Sequence, residues 1–371
     1  MITPTDVVGN LELLVREDDP RTTRFVETPA ADVSAICDGE VLLQVEKFGF
    51  TANNVTYAVL GKSPLINYFD FFPSADPGWG KPPVWGIGRV ALSRHPDVPA
   101  GGRLFGYFPL ARYARMRPAR ASAFGFDVDR GALPAAYNSY AANERNPFYV
   151  EGHEDAMIVF RPLMLTGILL DDFLAEGNDY FGARSVVIPS ASSKTAFGLA
   201  FMLARRRTDR TVVGLTSARN SAFVRGLGLY SRVVTYDEIA TLADEPTVVV
   251  DVAGDARVRA DIRKRLGDRL RTTVTVGLSH WDQAGGPPTL DAPPGEPTLF
   301  FFAPAWLEQR RKDLGAEGLN RMLVGGWLDF IGRAEDWVHV VRQEGRDALA
   351  SVYASMVDGR SRPDEAHVLS L

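Results

Sequence analysis

Between Ser190 and Asn220 the chain sets out hydroxyls, a lysine and an arginine in an order suited to holding phosphates. Ser190-Ala191-Ser192-Ser193-Lys194-Thr195-Ala196 reads as a tight turn of small residues running into a helix. A hydroxyl at Ser192 or Ser193 can cap that helix by accepting from a free backbone N–H. Such a helix start presents unsatisfied N–H groups and partial positive charge, which suits a diphosphate. Lys194 stands where the helix dipole disfavours a cation, in a chain far richer in arginine than in lysine. We read Ser192, Ser193, Lys194 and Thr195 as supplying by side chain what glycines ordinarily supply by backbone. A helix start with no ligand is the plainer alternative. The Ser-Ser-Lys-Thr run also resembles a nucleoside-triphosphate loop, but the required glycines are missing. Further on, Thr216-Ser217-Ala218-Arg219-Asn220 contains no acid. Arg219 offers a planar fork for a phosphate, with Ser217 and Asn220 beside it, although a surface arginine would look the same.

The elements that must position these groups follow from periodicity. Val186, Val187 and Ile188 form a β-branched run, as in a strand covered on both faces. Phe197, Ala200, Phe201 and Ala204 then recur at steps of three and four, which predicts a helix with one apolar stripe. Residues 211–215 make a second strand. Strand, turn, helix and strand in this order are the parts of a dinucleotide-binding βαβ unit. A site for the unphosphorylated dinucleotide ends its second strand with an acid for the ribose. The lack of one here, together with Arg219, selects NADP(H) over NAD(H). The alternation continues through strands at 232–235, 247–252, 272–276 and 298–302, with a charged helix at 257–266. This predicts an open, doubly wound parallel sheet.

Residues before about 155 are punctuated differently. Strand-like runs at 41–45, 84–93 and 103–107 are separated by turns such as Asp76-Pro77-Gly78 and Pro99-Ala100-Gly101-Gly102. That spacing predicts a mostly antiparallel β domain. The aromatic groups around Phe69, Phe71, Phe72, Trp79 and Trp85 read as core in preference to pocket wall. A helix-period segment at 161–174 joins the two parts. Helical patterning around 337–358 precedes a last strand at 366–370. The expected domains are 1–158, 159–304 and a return to the first domain at 305–371.

Composition excludes several classes. With 46% hydrophobic and 23% charged residues the chain has ample material for a core. A net charge of −5 gives no reason to expect nucleic acid or an anionic membrane as partner. The single cysteine, Cys37, rules out an internal disulfide and a Cys-rich zinc site; it reads as a half-buried thiol. The first residues are too acidic and polar for a signal peptide, and no apolar run reaches the ~20 residues needed to span a bilayer. A cytosolic protein is the expectation.

The segment PVWGIGRVALSRHPDVPAGGRLFGYFPLARY resembles the core of the chaperonin-10-like catalytic domain of medium-chain dehydrogenases/reductases. More narrowly, TANNVTYAVLG, LPAAYNSY, SASSKTAFGLAF and GLTSARN resemble a bacterial branch of that superfamily described as a domain of unknown function. The resemblance covers nearly the whole chain. It implies an α/β protein: a β-rich chaperonin-10-like catalytic domain with an inserted Rossmann domain. Zinc-dependent members carry a cysteine where Asn53-Asn54-Val55-Thr56-Tyr57 stands here, and a four-cysteine lobe that is absent, so no metal is expected. The likeness is to the zinc-free, quinone- and enone-reducing side. It places Asn53, Asn54 and Tyr57 beside the nicotinamide, Tyr236 at the adenosine end, and Asp251, Gly254, Gly277 and Ser279 on the rim of the cofactor cleft. The implied activity is NADPH-dependent hydride transfer to an activated C=C or C=O of a small apolar or aromatic molecule. Tyr57 is the first candidate to orient or protonate the substrate oxygen, and His280, in GLSHW, is the second. Tyr137, Asn138 and Tyr140 line either the substrate side or a self-satisfied loop. A homodimer is expected by analogy. A redox-neutral lyase or isomerase, and a non-catalytic NADPH-binding sensor, remain alternatives.

Overall fold

The computed structural model describes residues 7–63, 66–131, 133–207, 209–276 and 298–371. They form two compact units: Met1–Val159 with Val340–Ser361 and Ala366–Leu371, and Phe160–His339 with Arg362–Glu365.

The second unit is built on six parallel strands, Ser185–Pro189, Thr211–Thr216, Arg232–Thr235, Thr247–Asp251, Leu270–Thr275 and Thr298–Phe300. Across the sheet they run third, second, first, fourth, fifth, sixth. The order reverses between the first and fourth strands, which pair from Ser185 and Thr247 onward. In doubly wound sheets that reversal is where ligands bind, beyond the carboxyl ends of the strands. Every residue of the first strand is buried, as a strand covered on both faces requires.

The helix Lys194–Arg206 packs its buried run Ala196–Leu203 into this core. Phe197 lies 6.4 Å from Phe330 and 6.2 Å from Trp337, both on the helical stretch Ala303–Trp337, beyond the kink at Gly315, whose φ is 69°. That helix belongs to the second unit, so the return to the first comes at Val340 where the sequence suggests 305. Its buried positions Leu319, Leu323, Trp327, Phe330, Ile331 and Ala334 recur at steps of three and four, a stripe that packs within this unit.

The first unit carries a nine-stranded sheet. Val41–Phe50 lies between Pro83–Ser93 and the last strand, Glu365–Ser370, and Arg103–Pro109 pairs the far side of Pro83–Ser93. The single helical stretch expected over 337–358 is instead a strand, His339–Glu344, then Gly345 at φ 90°, then a helix, Arg346–Val357. Cys37 is exposed and not half-buried, in a turn where its backbone N–H donates to Glu40 Oε2 at 2.8 Å. Among the described residues no helix is long and apolar enough to cross a membrane.

Candidate active site

In the second unit the backbone leaves the first strand through Ser190, at φ 54°. That is the left-handed region usually left to glycine. Ser193 N–H donates to Ser190 O at 2.8 Å, closing the turn. Ser193 Oγ accepts from Ala196 N–H at 3.3 Å and caps the helix. The backbone N–H groups of Lys194 and Thr195 then lie in the first turn, where a helix has no acceptor of its own to give them. The turn therefore keeps a glycine-type path without a glycine. Sequence reasoning passes over Ser190 itself; the signal for it is its place at the start of the dinucleotide turn.

Around this turn the structure gathers several of the expected residues. Asn220 Nδ2 donates to Ser192 Oγ at 3.1 Å, and Tyr236 Oη lies 3.4 Å from Ser190 Oγ. Tyr230, absent from the sequence candidates, donates to Ala191 O at 2.8 Å. Its ring lies over Gly214, where a Cβ would come within 2.9 Å of it. Ser217 is half-buried and Arg219 exposed, on the one-turn helix Ala218–Asn220 after the second strand. Asp251, buried at the end of the fourth strand, accepts from Ala253 N–H at 3.0 Å and Gly254 N–H at 2.9 Å, fixing that rim.

Lys194 is half-buried and turned to the return segment of the same unit. Its ammonium donates to Glu365 O at 2.6 Å and Pro363 O at 3.4 Å. Burial draws its pKa down to about 8, against the opposing pull of Asp364 and Glu365. Gly277, Ser279 and His280 lie outside the described residues. The residues present fit the diphosphate of a dinucleotide, with a left-handed turn and two first-turn N–H groups, and the second strand ends without a carboxylate where the ribose would lie.

The first unit contributes a group of phenols. Thr51 caps the helix Ala52–Val59, and its N–H donates to Asn54 Oδ1 at 2.8 Å to complete a capping box. Asn54 Nδ2 donates to Pro83 O at 3.2 Å, so this amide is engaged in the fold at both ends. Asn53 and Tyr57, four residues apart, share a helix face. Asn53 Nδ2 donates to Tyr57 Oη at 2.7 Å, and Trp85 Nε1 donates to the same oxygen at 3.2 Å. Trp85 stands opposite Tyr107 across two antiparallel strands. The Tyr107 ring lies 5.5 Å from that of Tyr57 and 4.9 Å from that of Tyr137, and Tyr57 lies 4.6 Å from Tyr68.

Burial holds the Tyr57, Tyr68, Tyr107 and Tyr137 hydroxyls above the ordinary phenol range, so all four are protonated at neutral pH. Trp85 and Tyr137 are half-buried, while Tyr57 and Tyr107 are buried. Tyr140 is engaged structurally, donating to Tyr107 O and accepting from Arg130 Nη2 at 2.9 Å; Arg130 also donates to Asn138 Oδ1 at 3.0 Å. Among the described residues no group of three or more His, Cys, Asp or Glu side chains is arranged to hold a metal.

Residues 48–362 match the family described as "protein of unknown function (DUF2855)". No curated protein matches the chain. Solved structures share the fold across nearly its full length. CurA from Vibrio vulnificus, in complex with NADPH, is similar at TM-score 0.63 and 10% identity, covering 97% of this chain and 98% of that one. A putative NADPH:quinone reductase from Mesorhizobium loti gives 0.60 and 15%, covering 98% of each chain. The yhdH oxidoreductase from Salmonella enterica, in complex with NADP, gives 0.56 and 16%, covering 97% and 99%.

Proposed function

This chain belongs to the DUF2855 family, and we propose that it is an NADPH-dependent, zinc-independent reductase of an activated C=C or C=O. The observation that carries this reading is the turn at Ser190, which takes a glycine-type path into a helix start with two N–H groups to offer. Thr195, Ser193 and the first-turn backbone would hold the diphosphate. Arg219 and Ser217 would meet the 2′-phosphate, and Tyr236 and Gly254 would border the nucleotide. Bound NADPH would supply the hydride. The chain's own part is to orient the acceptor and meet the charge that develops on its oxygen, a task for Tyr57 as a neutral donor. The structures of CurA and of the yhdH oxidoreductase, solved with NADPH and NADP, support the choice of cofactor. The aromatic group of Tyr57, Trp85, Tyr107 and Tyr137 in the first unit supports an apolar or ring-bearing small molecule as substrate. We further propose a cytosolic homodimer, which light scattering would test.

One observation favours a second reading. Lys194 is bonded to carbonyls of the return segment and Ser192 to Asn220, so the turn offers phosphates fewer side chains than the sequence suggests. That favours a redox-neutral lyase or isomerase, or a non-catalytic NADPH-binding sensor, on the same fold. Calorimetric titration with NADPH, NADH and ADP, followed by NADPH oxidation with quinones, enones and aldehydes, separates the readings. The reductase reading requires NADPH binding and turnover of at least one acceptor. Arg219→Ala should weaken NADPH on the order of tenfold more than NADH. Equal losses would remove the 2′-phosphate argument, and no binding of any nucleotide would remove the reductase.

A further inference from the structure

In the second unit three helices close on glycines and then part. A Cβ on Gly167 would lie 2.8 Å from the backbone of Gly198, and one on Gly326 would lie 2.8 Å from Ile168 and 3.3 Å from Met202. One turn further on, the helices Glu154–Glu176, Lys194–Arg206 and the stretch Ala303–Trp337 enclose a cavity of about 300 Å³. That is the lower end of the range for small-molecule sites, ~300–1,000 Å³. Ile168, Met202 and Met322 line it with apolar surface. Exposure rises from 1% at Ile168 to 76% for the Arg321 side chain, so the cavity opens to solvent past that guanidinium.

The charged groups of the lining are sorted by burial. The Asp171 side chain is 3% exposed and accepts from Arg206, Nε at 3.0 Å to Oδ1 and Nη2 at 2.7 Å to Oδ2. Asp172 accepts from Trp306 Nε1 at 2.9 Å and from Arg310 Nη2 at 3.3 Å. Both carboxylates are thus matched by guanidinium partners, and neither is left for a cation. The arginines are not used up in this way. A guanidinium has five N–H groups. Arg206 meets Asp171 through Nε and Nη2, and Arg205 meets Asp329 through Nε at 2.5 Å, so each fork keeps N–H groups to offer. Arg321 faces Glu317 only at 3.8 Å, on the open surface.

We propose that this cavity is a second ligand site, for a small monocarboxylate with a short apolar body. Arg205, Arg206 and Arg321 take the carboxylate by the pairing that suits their planar forks, and Ile168, Met202 and Met322 take the body. Three guanidiniums and two carboxylates on the lining balance one further negative charge, which selects a carboxylate over a doubly charged phosphate ester. Asp171 is a positioning residue, because it fixes the Arg206 fork. The site stands at the carboxyl end of the helix Lys194–Arg206, whose amino end forms the dinucleotide turn, roughly 15–20 Å away at the rise of an α-helix. It goes beyond the reductase reading and does not rest on it.

The test uses the full chain without nucleotide and four probes of one chain length, hexanoate, 1-hexanol, hexylamine and hexyl phosphate, titrated by calorimetry. Hexanoate should bind on the order of tenfold or more tighter than 1-hexanol, and tighter than hexyl phosphate, while hexylamine should not bind. Arg321→Gln, at an exposed position, should weaken hexanoate on the order of tenfold without moving the melting temperature. Met322→Trp should fill the cavity and abolish hexanoate binding by a change of shape alone. Arg219→Ala should leave hexanoate unchanged, which separates this site from the dinucleotide turn. Absence of hexanoate binding at millimolar concentration, 1-hexanol bound as tightly, or a hexanoate affinity that either Arg321→Gln or Met322→Trp leaves untouched overturns the proposal. Tighter binding of hexyl phosphate or of hexylamine overturns the choice of a monocarboxylate. Because nucleotide is absent, a protein that fails to bind NADPH can still show this site, and one that binds NADPH can still lack it.

Discussion

At Ser190 the chain holds a side chain in backbone space that costs an L-residue about 1–2 kcal/mol. The return is a single 3.4 Å approach of Ser190 Oγ to Tyr236 Oη, at the far limit of a hydrogen bond. Ser190→Gly should therefore raise the unfolding free energy by about 0.5–1 kcal/mol, and Ser190→Val should lower it by about 1–3 kcal/mol, in urea titrations. A loss with glycine would show that the hydroxyl outweighs the backbone strain. Lys194 makes a second prediction through its proton. Its pKa is lowered by burial from 10.5 to about 8, so between those values the unfolded chain binds more protons than the folded one. The Lys194 contribution therefore makes the fold more stable as pH rises through that window. Urea midpoints across it should climb for wild type relative to Lys194→Met. Parallel curves would mean that the ammonium is as well solvated folded as unfolded.

The helix Glu154–Glu176 begins on a charged junction of three strands. Arg103 grips Glu154 with Nη1 at 2.5 Å and Nη2 at 3.1 Å, while Lys47 reaches Glu154 at 2.8 Å and Asp155 at 2.6 Å. Burial works to raise the Glu154 pKa, but the bonds from Arg103 and Lys47 outweigh it and lower it from 4.5 to about 2. The stability this supplies is complete above 4.5 and is lost as pH falls toward 2. Glu154→Gln should lose about 1–3 kcal/mol at neutral pH, with the gap to wild type closing in acid; a pH-independent gap would point to packing. At this scale the sequence was most legible. β-Branched runs and the shift to a 3.6 period mark all six parallel strands and the helix Lys194–Arg206, because burial on both faces leaves few alternatives to those patterns. The helix Ala303–Trp337 was not placed in its unit, since its first half is polar and its buried stripe begins only at Leu319. The site was legible in part. Asn53 and Tyr57 are one helical turn apart, whereas Trp85 and Tyr107 meet only through the register of two strands. Nothing local to Lys194 announces partners at Pro363 and Glu365.

For the molecule as a whole, the chain order makes one unit continuous and the other dependent on both ends. Phe160–His339 holds all six parallel strands and the aromatic core of Phe197, Phe330 and Trp337, lacking only Arg362–Glu365. The first unit is completed from the carboxyl end. Phe48 to Phe50 pair with Leu369 to His367, Tyr353 packs 5.6 Å from Phe50, and the Tyr353 hydroxyl donates to Pro20 O at 2.9 Å. Residues 1–159 alone would therefore expose the edge and one face of the buried strand Val41–Phe50, a template for aggregation. Arg342 bonds Asp155 at 2.5 Å, so the two ends left by removing 160–339 lie close to each other. Three fragments follow from this. Residues 160–339 should melt cooperatively, at a lower temperature than in the full chain because Lys194 loses its carbonyl partners. Residues 1–159 should aggregate or melt without a transition. Residues 1–159 joined to 340–371 by a short Gly/Ser linker should recover a cooperative melt. A cooperative melt for 1–159 alone would show that the amino-terminal sheet closes without the last strand, and that the carboxyl-terminal return is an addition to that unit rather than part of its core.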